Sequence, residues 1–316
     1  MQKRTFAVRS RPDRQRPRLR SCIPVPSPPI LLPVNAPPVA LRELLVASRR
    51  PATRWVRMST ALACTLAVGL PLLISSSVGN ALPGDSLFSF LTGMTAALVA
   101  MASLIFTCDA LSAEQRQGTL GLLFLTDLSG FEVISGKFVA AGLNAAGALL
   151  TVFPFIAVTL VMGGVTAGDV FRTSLALLNL LWVFLALGLA MSSRTTSASQ
   201  SFTAAILWAL MLSAAFPIGA ELLRQGSSRL EFPPLRLLQL VFEASPTRLL
   251  WSARDAVYRP NPGEFWIAFA VSHALGWIFL AIAARQVRRL WRDDGSRTAE
   301  AGPTRRQSGR IALQIL

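Results

Sequence analysis

Six stretches of this chain carry no Asp, Glu, Lys or Arg: roughly 58–78, 86–108, 138–164, 173–192, 202–220 and 265–284. About 20 helical residues cross the hydrocarbon layer of a bilayer, and each stretch reaches or approaches that length. Leu, Ala, Val and Gly dominate them, with little of the alternation that marks a strand. Lipid offers the backbone no hydrogen-bond partner, so a segment that crosses it must satisfy its own N–H and C=O groups as a helix. A soluble helical core domain is the weaker reading, because only 15% of residues are charged and mean hydropathy is +0.50, against about a quarter charged in soluble domains. The expected fold is an all-α integral membrane protein with six transmembrane helices. A disordered, basic, Pro-rich arm (1–34) precedes the six-span domain (35–292), and a basic tail (293–316) follows it.

The basic residues orient the bundle. With six spans, both termini and the 109–137 and 193–201 connections share one side, and that side holds 24 of the 31 Lys and Arg. The positive-inside bias places it in the cytoplasm. Six arginines in 221–264 run against this trend. The net charge of +15 does not point to nucleic acid, because it gathers beside the spans. Arg49, Arg50, Arg54 and Arg57 precede the first, while Arg285, Arg288, Arg289 and Arg292 follow the last, where they suit anionic lipid head groups. The Arg- and Pro-rich start has no continuous apolar core of a cleavable signal. It reads as a disordered arm or an over-extended translation start. Cys22, Cys64 and Cys108 imply no disulfide framework.

Leu41, Leu44, Leu45 and Ser48 fall at helical spacing with Arg42 and Glu43 on other faces, as in an amphipathic helix lying in the membrane interface. Residues 221–264 are too apolar for a free loop and too broken by Pro and Arg for a span, so short re-entrant or interfacial helices fit them best. Within the spans, Asn144 and Asn179 read as links between helices, Pro154 and Pro217 as kinks, and His273 as a hydrogen-bonding residue rather than a proton relay. No distinctive charge or aromatic cage is visible there. No internal repeat, metal-ligand cluster or phosphate-binding glycine loop occurs. If ATP drives the protein, another chain must bind it.

The most organised connection is 109–137. Ser112-Ala-Glu-Gln115 and Ser129-Gly-Phe-Glu132 both fit a capping box. Gly118 suits the end of a helix continuing from the second span, leaving Thr119 to Leu125 as a separate short helix. Leu120, Leu123 and Phe124 share one face of it, extended by Leu122 and Leu125. Such a patch could enter a partner's groove or simply rest on lipid.

The pattern Glu114-Gln-Arg-Gln-Gly118-Thr119-Leu120, then Leu122-Leu123, Thr126, Leu128-Ser129, Glu132 and Gly136-Lys137 resembles the type-2 ATP-binding-cassette (ABC) permeases. That family has a Glu-x-x-x-Gly-Thr-Leu stretch, a Leu-rich turn and a Gly-Lys pair between spans two and three. Asn35 through Leu41, Arg42, Glu43 and Leu44, and the Ser245-Pro246 step, add weaker likenesses. Gly121 stands where the family often has an acidic residue, and Asp127 where it often has proline. The resemblance implies a non-catalytic six-span permease subunit of an exporter in the inner membrane, paired with a second permease chain and cytoplasmic ATPase subunits. ATP, the implied cofactor, would be bound by the ATPase partner. Residues 119–128 would form the coupling helix, with Glu114, Gly118, Thr119, Leu120, Leu122, Leu123, Thr126, Leu128 and Ser129 meeting the ATPase.

Overall fold

In a computed structural model, the described residues are 51–78, 83–117, 130–195, 197–215, 217–219, 222 and 245–300. They are helical, with no strand among them. In chain order they form α1 (Pro51–Val78), α2 (Gly84–Thr107), α3 (Ser112–Gln117), α4 (Gly130–Leu150), α5 (Phe153–Met162), α6 (Ala167–Ser192), α7 (Ala198–Leu210), α8 (Pro246–Ser252), α9 (Asp255–Tyr258) and α10 (Pro262–Glu300). Among the described residues, six helical segments are long and apolar enough to cross a membrane: Thr53–Ser77, Gly84–Glu114, Gly130–Met162, Ala167–Ser192, Ala198–Gly219 and Pro262–Arg289. They overlap the six uncharged runs; each begins about two to eight residues before its run, and the second and last also end beyond it. The expected interfacial helix at Leu41–Leu44 lies outside the described residues.

α6 is the axis of the bundle. Of its most apolar stretch 78% is buried, against 12–39% for the other five spans, and α2, α4, α7, α8 and α10 all pack on it. Its start is fixed by a capping box at Thr166 and Asp169. The Thr166 hydroxyl accepts from the Asp169 N–H, and the Asp169 carboxylate accepts from the Thr166 N–H. Just before it, Gly163 (φ 84°) and Gly164 (φ 82°) turn the chain back through the left-handed region that glycine tolerates.

Three interior hydroxyls on α2 cause little cost, because each bonds the carbonyl one turn back. Thr95 donates to Leu91 O, Ser103 to Val99 O and Thr107 to Ser103 O, each at 2.7 Å. α2 can therefore lie against α6 at short range. Gly188 is the crossing point, where a Cβ would collide with the Thr107 hydroxyl. Side chains of Leu104, Ile134, Leu177, Leu185 and Leu189 fill the core around this contact.

Two irregularities interrupt the spans, both near prolines expected to kink them. The third span breaks at Thr151–Val152, whose N–H groups bond carbonyls three residues back, before Pro154 enters the first turn of α5. In the fifth span α7 passes into a π-turn at Met211–Ala215, ahead of Pro217. Carbonyls displaced by the wider turn are taken up by the start of α8. Ser245 Oγ, fully buried, donates to Leu212 O at 2.8 Å, and Thr247 Oγ1 donates to Ser213 O. The Ser245-Pro246 step thus ties the far end of the fifth span to the helix that follows it.

Candidate functional site

The junction between the second and third spans begins where α2 ends. Cys108 continues the helical hydrogen bonding onto Leu104 O, and a turn at 108–111 leads into α3. The backbone N–H groups of Leu111 and Ser112 both donate to Ser192 Oγ, at 3.0 and 3.1 Å. Ser192 is the last residue of α6 and is fully buried. The start of α3 is therefore anchored to the axis of the bundle.

Ser112 does not cap forward as its sequence suggests. Its hydroxyl donates back to Asp109 Oδ1 at 3.0 Å and to Cys108 O at 3.3 Å. α3 continues from α2 through a tight turn, so its first amides already have acceptors in α6 and no side-chain cap is needed. Asp109 also pairs with Arg116 at 2.7 Å on the exposed face. Ser129, start of the second expected capping box, lies outside the described residues.

Glu114 and Lys137 close the junction. Lys137 Nζ is 2.8 Å from Glu114 Oε1, with the two side chains only 5% and 13% exposed. Lys137 sits two turns into α4 on its buried face, beside Val133, Ile134 and Ala141. The Glu and the Lys of the family-like pattern are thus partners within the chain, and the Glu114 carboxylate turns inward. One end of α4, two turns before Lys137, is held by α10. A Cβ on Gly130 would come within 3.1 Å of Arg288 Cγ and 3.4 Å of Ala284 O. The proposed contact residues Gly118, Thr119, Leu120, Leu122, Leu123, Thr126, Leu128 and Ser129 fall outside the described residues. The structure thus describes the two walls that flank them.

Deeper in the bundle two expectations are corrected. Asn144 does not link helices: its Nδ2 donates to Ala140 O in its own helix at 2.9 Å, which satisfies the donor one turn back. The spans do hold an aromatic cluster, contributed by residues too scattered in sequence to be seen together. Trp182 of α6 stacks on His273 of α10 at 4.9 Å and 19°, and meets Phe138 of α4 and Trp277 at 4.7 and 4.9 Å. Asn179 is an interhelical link as expected, bonding Ser272 and, at 3.1 Å, His273 Nδ1. His273 therefore has a structural partner.

At the other end of the bundle lies a charged cluster that sequence reading passed over. Arg172 bridges Asp169 (3.2 Å) and Asp255, donates to Ala253 O (2.8 Å), and lies 4.2 Å over the Tyr258 ring. Arg259 also pairs with Asp255, at 2.8 Å. Arg259 hydrogen bonding, with further help from Thr166 and Arg172, holds the Asp255 carboxyl below its usual range despite opposing desolvation. Two basic residues that oppose the charge bias are thus balanced locally. The Thr-x-x-Asp pattern at 166–169, following two glycines, was the available signal.

A bundle of six membrane-length helices around one buried axis defines an all-helical, multi-pass membrane protein. The chain belongs to the ABC-2 family of transporter proteins, whose domain matches residues 56–294. It is also similar to proteins described as a probable ABC transporter permease protein NosY. The one from Stutzerimonas stutzeri is 29% identical over 170 residues, covering 50% of this chain and 61% of that protein. The one from Pseudomonas aeruginosa is 29% identical over 186 residues, covering 54% and 64%. The chain thus spans somewhat under two thirds of the length of these relatives.

Proposed function

We propose that this chain is the permease subunit of an ABC exporter. On this reading it forms part of the translocation pathway, is not itself catalytic, and relies on a cytoplasmic ATPase for ATP hydrolysis. A second permease chain, identical or different, completes the pathway. The protein lies in the inner membrane with both termini and the 109–137 connection in the cytoplasm.

The observation that carries the proposal is the Glu114–Lys137 pair inside the family match. It joins the helices on either side of the segment assigned to the ATPase, while Ser192 joins the first of them to α6. Movement of 118–129 would therefore pass to α2, α4 and α6 together. Such a linkage is what a lever needs, because reversing a 1:99 conformational population takes about 5.5 kcal/mol of differential binding. A loose loop would absorb that energy locally. The alternative, a transporter that works without ATP, gives this rigid junction no task.

The test is co-purification from membranes with an ATPase carrying a phosphate-binding glycine loop. Leu123→Asp should release the ATPase while the chain stays inserted. Substrate flux through vesicles containing this chain alone would instead favour the ATP-independent reading.

A further inference from the structure

α2, α6 and α7 do not close on one another along their whole length. A cavity of about 280 Å³ lies between them, walled by Ala96, Ala100, Leu104, Phe184, Ile206 and Leu210. A second, of about 210 Å³, adjoins it and shares Gly93, Ala96 and Thr247. Its remaining wall includes Ser89, Thr92, Thr173, Trp251 and Arg254. Along α2 the two run from Phe88 to Leu104, about 24 Å at a rise of ~1.5 Å per residue. That is most of a hydrocarbon layer of ~30 Å.

The character of the wall changes along this length. The Leu104 half is aliphatic and aromatic. The Phe88 half carries a half-buried cation, Arg254, whose guanidinium lies 5.0 Å over the Trp251 ring. Among the described residues Arg254 has no acidic partner, whereas Arg172 and Arg259 both pair with Asp255. At the same mouth the Thr92 hydroxyl is hidden from solvent with no hydrogen-bond partner. A half-buried cation without a counter-ion and a hidden hydroxyl without an acceptor are both costly alone. An anionic oxygen would satisfy both at once, and a guanidinium suits carboxylate or phosphate geometry.

We infer that this cleft binds a single-chain lipid with an anionic head. The alkyl chain lies along α2 against Phe184 and Ile206, and the head is held by Arg254 and Thr92. Each cavity alone is below the ~300–1,000 Å³ usual for small ligands and only the two together reach its lower part, which suits one chain rather than two. If the chain is a permease subunit, this names the chemical class of a ligand within its spans. The binding itself does not require the ATPase.

Native mass spectrometry of the purified chain tests it, with lysophosphatidylglycerol and lysophosphatidylcholine of equal chain length added at equal concentration. The unmodified chain should retain the anionic lipid with about ten-fold preference, and Arg254→Gln should remove the preference. Gly93 stands at the junction of the two cavities, and a Cβ there would meet nothing within 4 Å. Gly93→Trp should therefore plug the cleft and abolish retention of both lipids. Gly69→Trp, at an equally open position on α1, should change nothing. Equal retention of the two lipids, no retention of either, or a Gly93→Trp variant that still binds would overturn the inference. Disulfide capture between Met101→Cys and a second copy would also overturn it, since a partner helix would then fill the cleft. The readout uses this chain alone, so failure here is distinct from failure to recover an ATPase.

Discussion

Lys137 of the third span and Glu114 at the foot of the second form an ion pair 2.8 Å long that is almost closed to solvent. Seen one residue at a time, the glutamate looked like a contact for a partner and the lysine like one half of a Gly-Lys motif. Their pairing makes them the clasp of the junction. Removing one partner of a buried pair typically costs about 3–5 kcal/mol, whereas replacing both with apolar groups can be neutral. Glu114→Ala and Lys137→Met should each lower the thermal unfolding midpoint of the purified chain markedly. The double variant Glu114→Leu/Lys137→Met should recover most of the loss. Additive losses in the double variant would show that the two side chains do not work as a pair.

The α2–α6 crossing makes a second demand on the sequence. Gly188→Ala places a methyl group where the Thr107 hydroxyl now sits, and overpacking of this kind costs about 1–3 kcal/mol. Steady-state abundance in membranes should fall, and Thr107→Ala should restore part of it. Unchanged abundance and melting for Gly188→Ala would mean that the helices separate at no cost.

His273 should behave as a packing residue. Its ring is stacked on Trp182 and bonded to Asn179, and interhelical hydrogen bonds in membranes average only about 0.6 kcal/mol. His273→Gln should leave transport and its pH dependence intact, while Asn179→Leu, which strands both His273 and Ser272, should destabilise by about 1–2 kcal/mol. Loss of transport in His273→Gln with normal folding would restore the proton-relay reading.

The charged cluster at the opposite end gives a pH prediction. Asp255 titrates below its usual value because Arg259, Thr166 and Arg172 favour its charged form. The stabilisation is therefore complete above the unfolded carboxylate range, near pH ~3.9, and is lost as pH falls through the lower folded value. Thermal midpoints should stay level with respect to this group from pH 8 to about 5 and drop in stronger acid. Asp255→Asn should start lower at neutral pH and lose less on acidification. Identical acid profiles for the two proteins would remove Asp255 from the account.

The spans were legible because lipid imposes one rule along their whole length, and uncharged runs such as 173–192 record it directly. Partnership across the bundle was not. Glu114 and Lys137 are 23 positions apart in the sequence, and nothing local to either says that they face each other. Ser192 resembles any hydroxyl at a helix end, yet it holds two amides about 80 positions earlier, at the foot of the second span. Ser112 misled because its cap-like spacing is local, while its amides had a tertiary acceptor. Trp182, Phe138, His273 and Trp277 come from three helices, so no window of sequence contains their cluster. The Ser245-Pro246 step was visible as a motif, but its work on the carbonyls of Leu212 and Ser213 depends on a π-turn that the sequence does not announce.

The central claim is that the junction clasped by Glu114 and Lys137 transmits force from an ATPase. The most direct measurement is substrate-stimulated ATP hydrolysis by the purified complex, comparing the unmodified chain with the double variant Glu114→Leu/Lys137→Met in which the ATPase is still bound. The account predicts retained basal hydrolysis, with stimulation by substrate and ATP-driven transport both reduced at least about ten-fold. Full stimulation and transport in a junction without the ion pair would contradict it, as would failure to recover any ATPase with the unmodified chain.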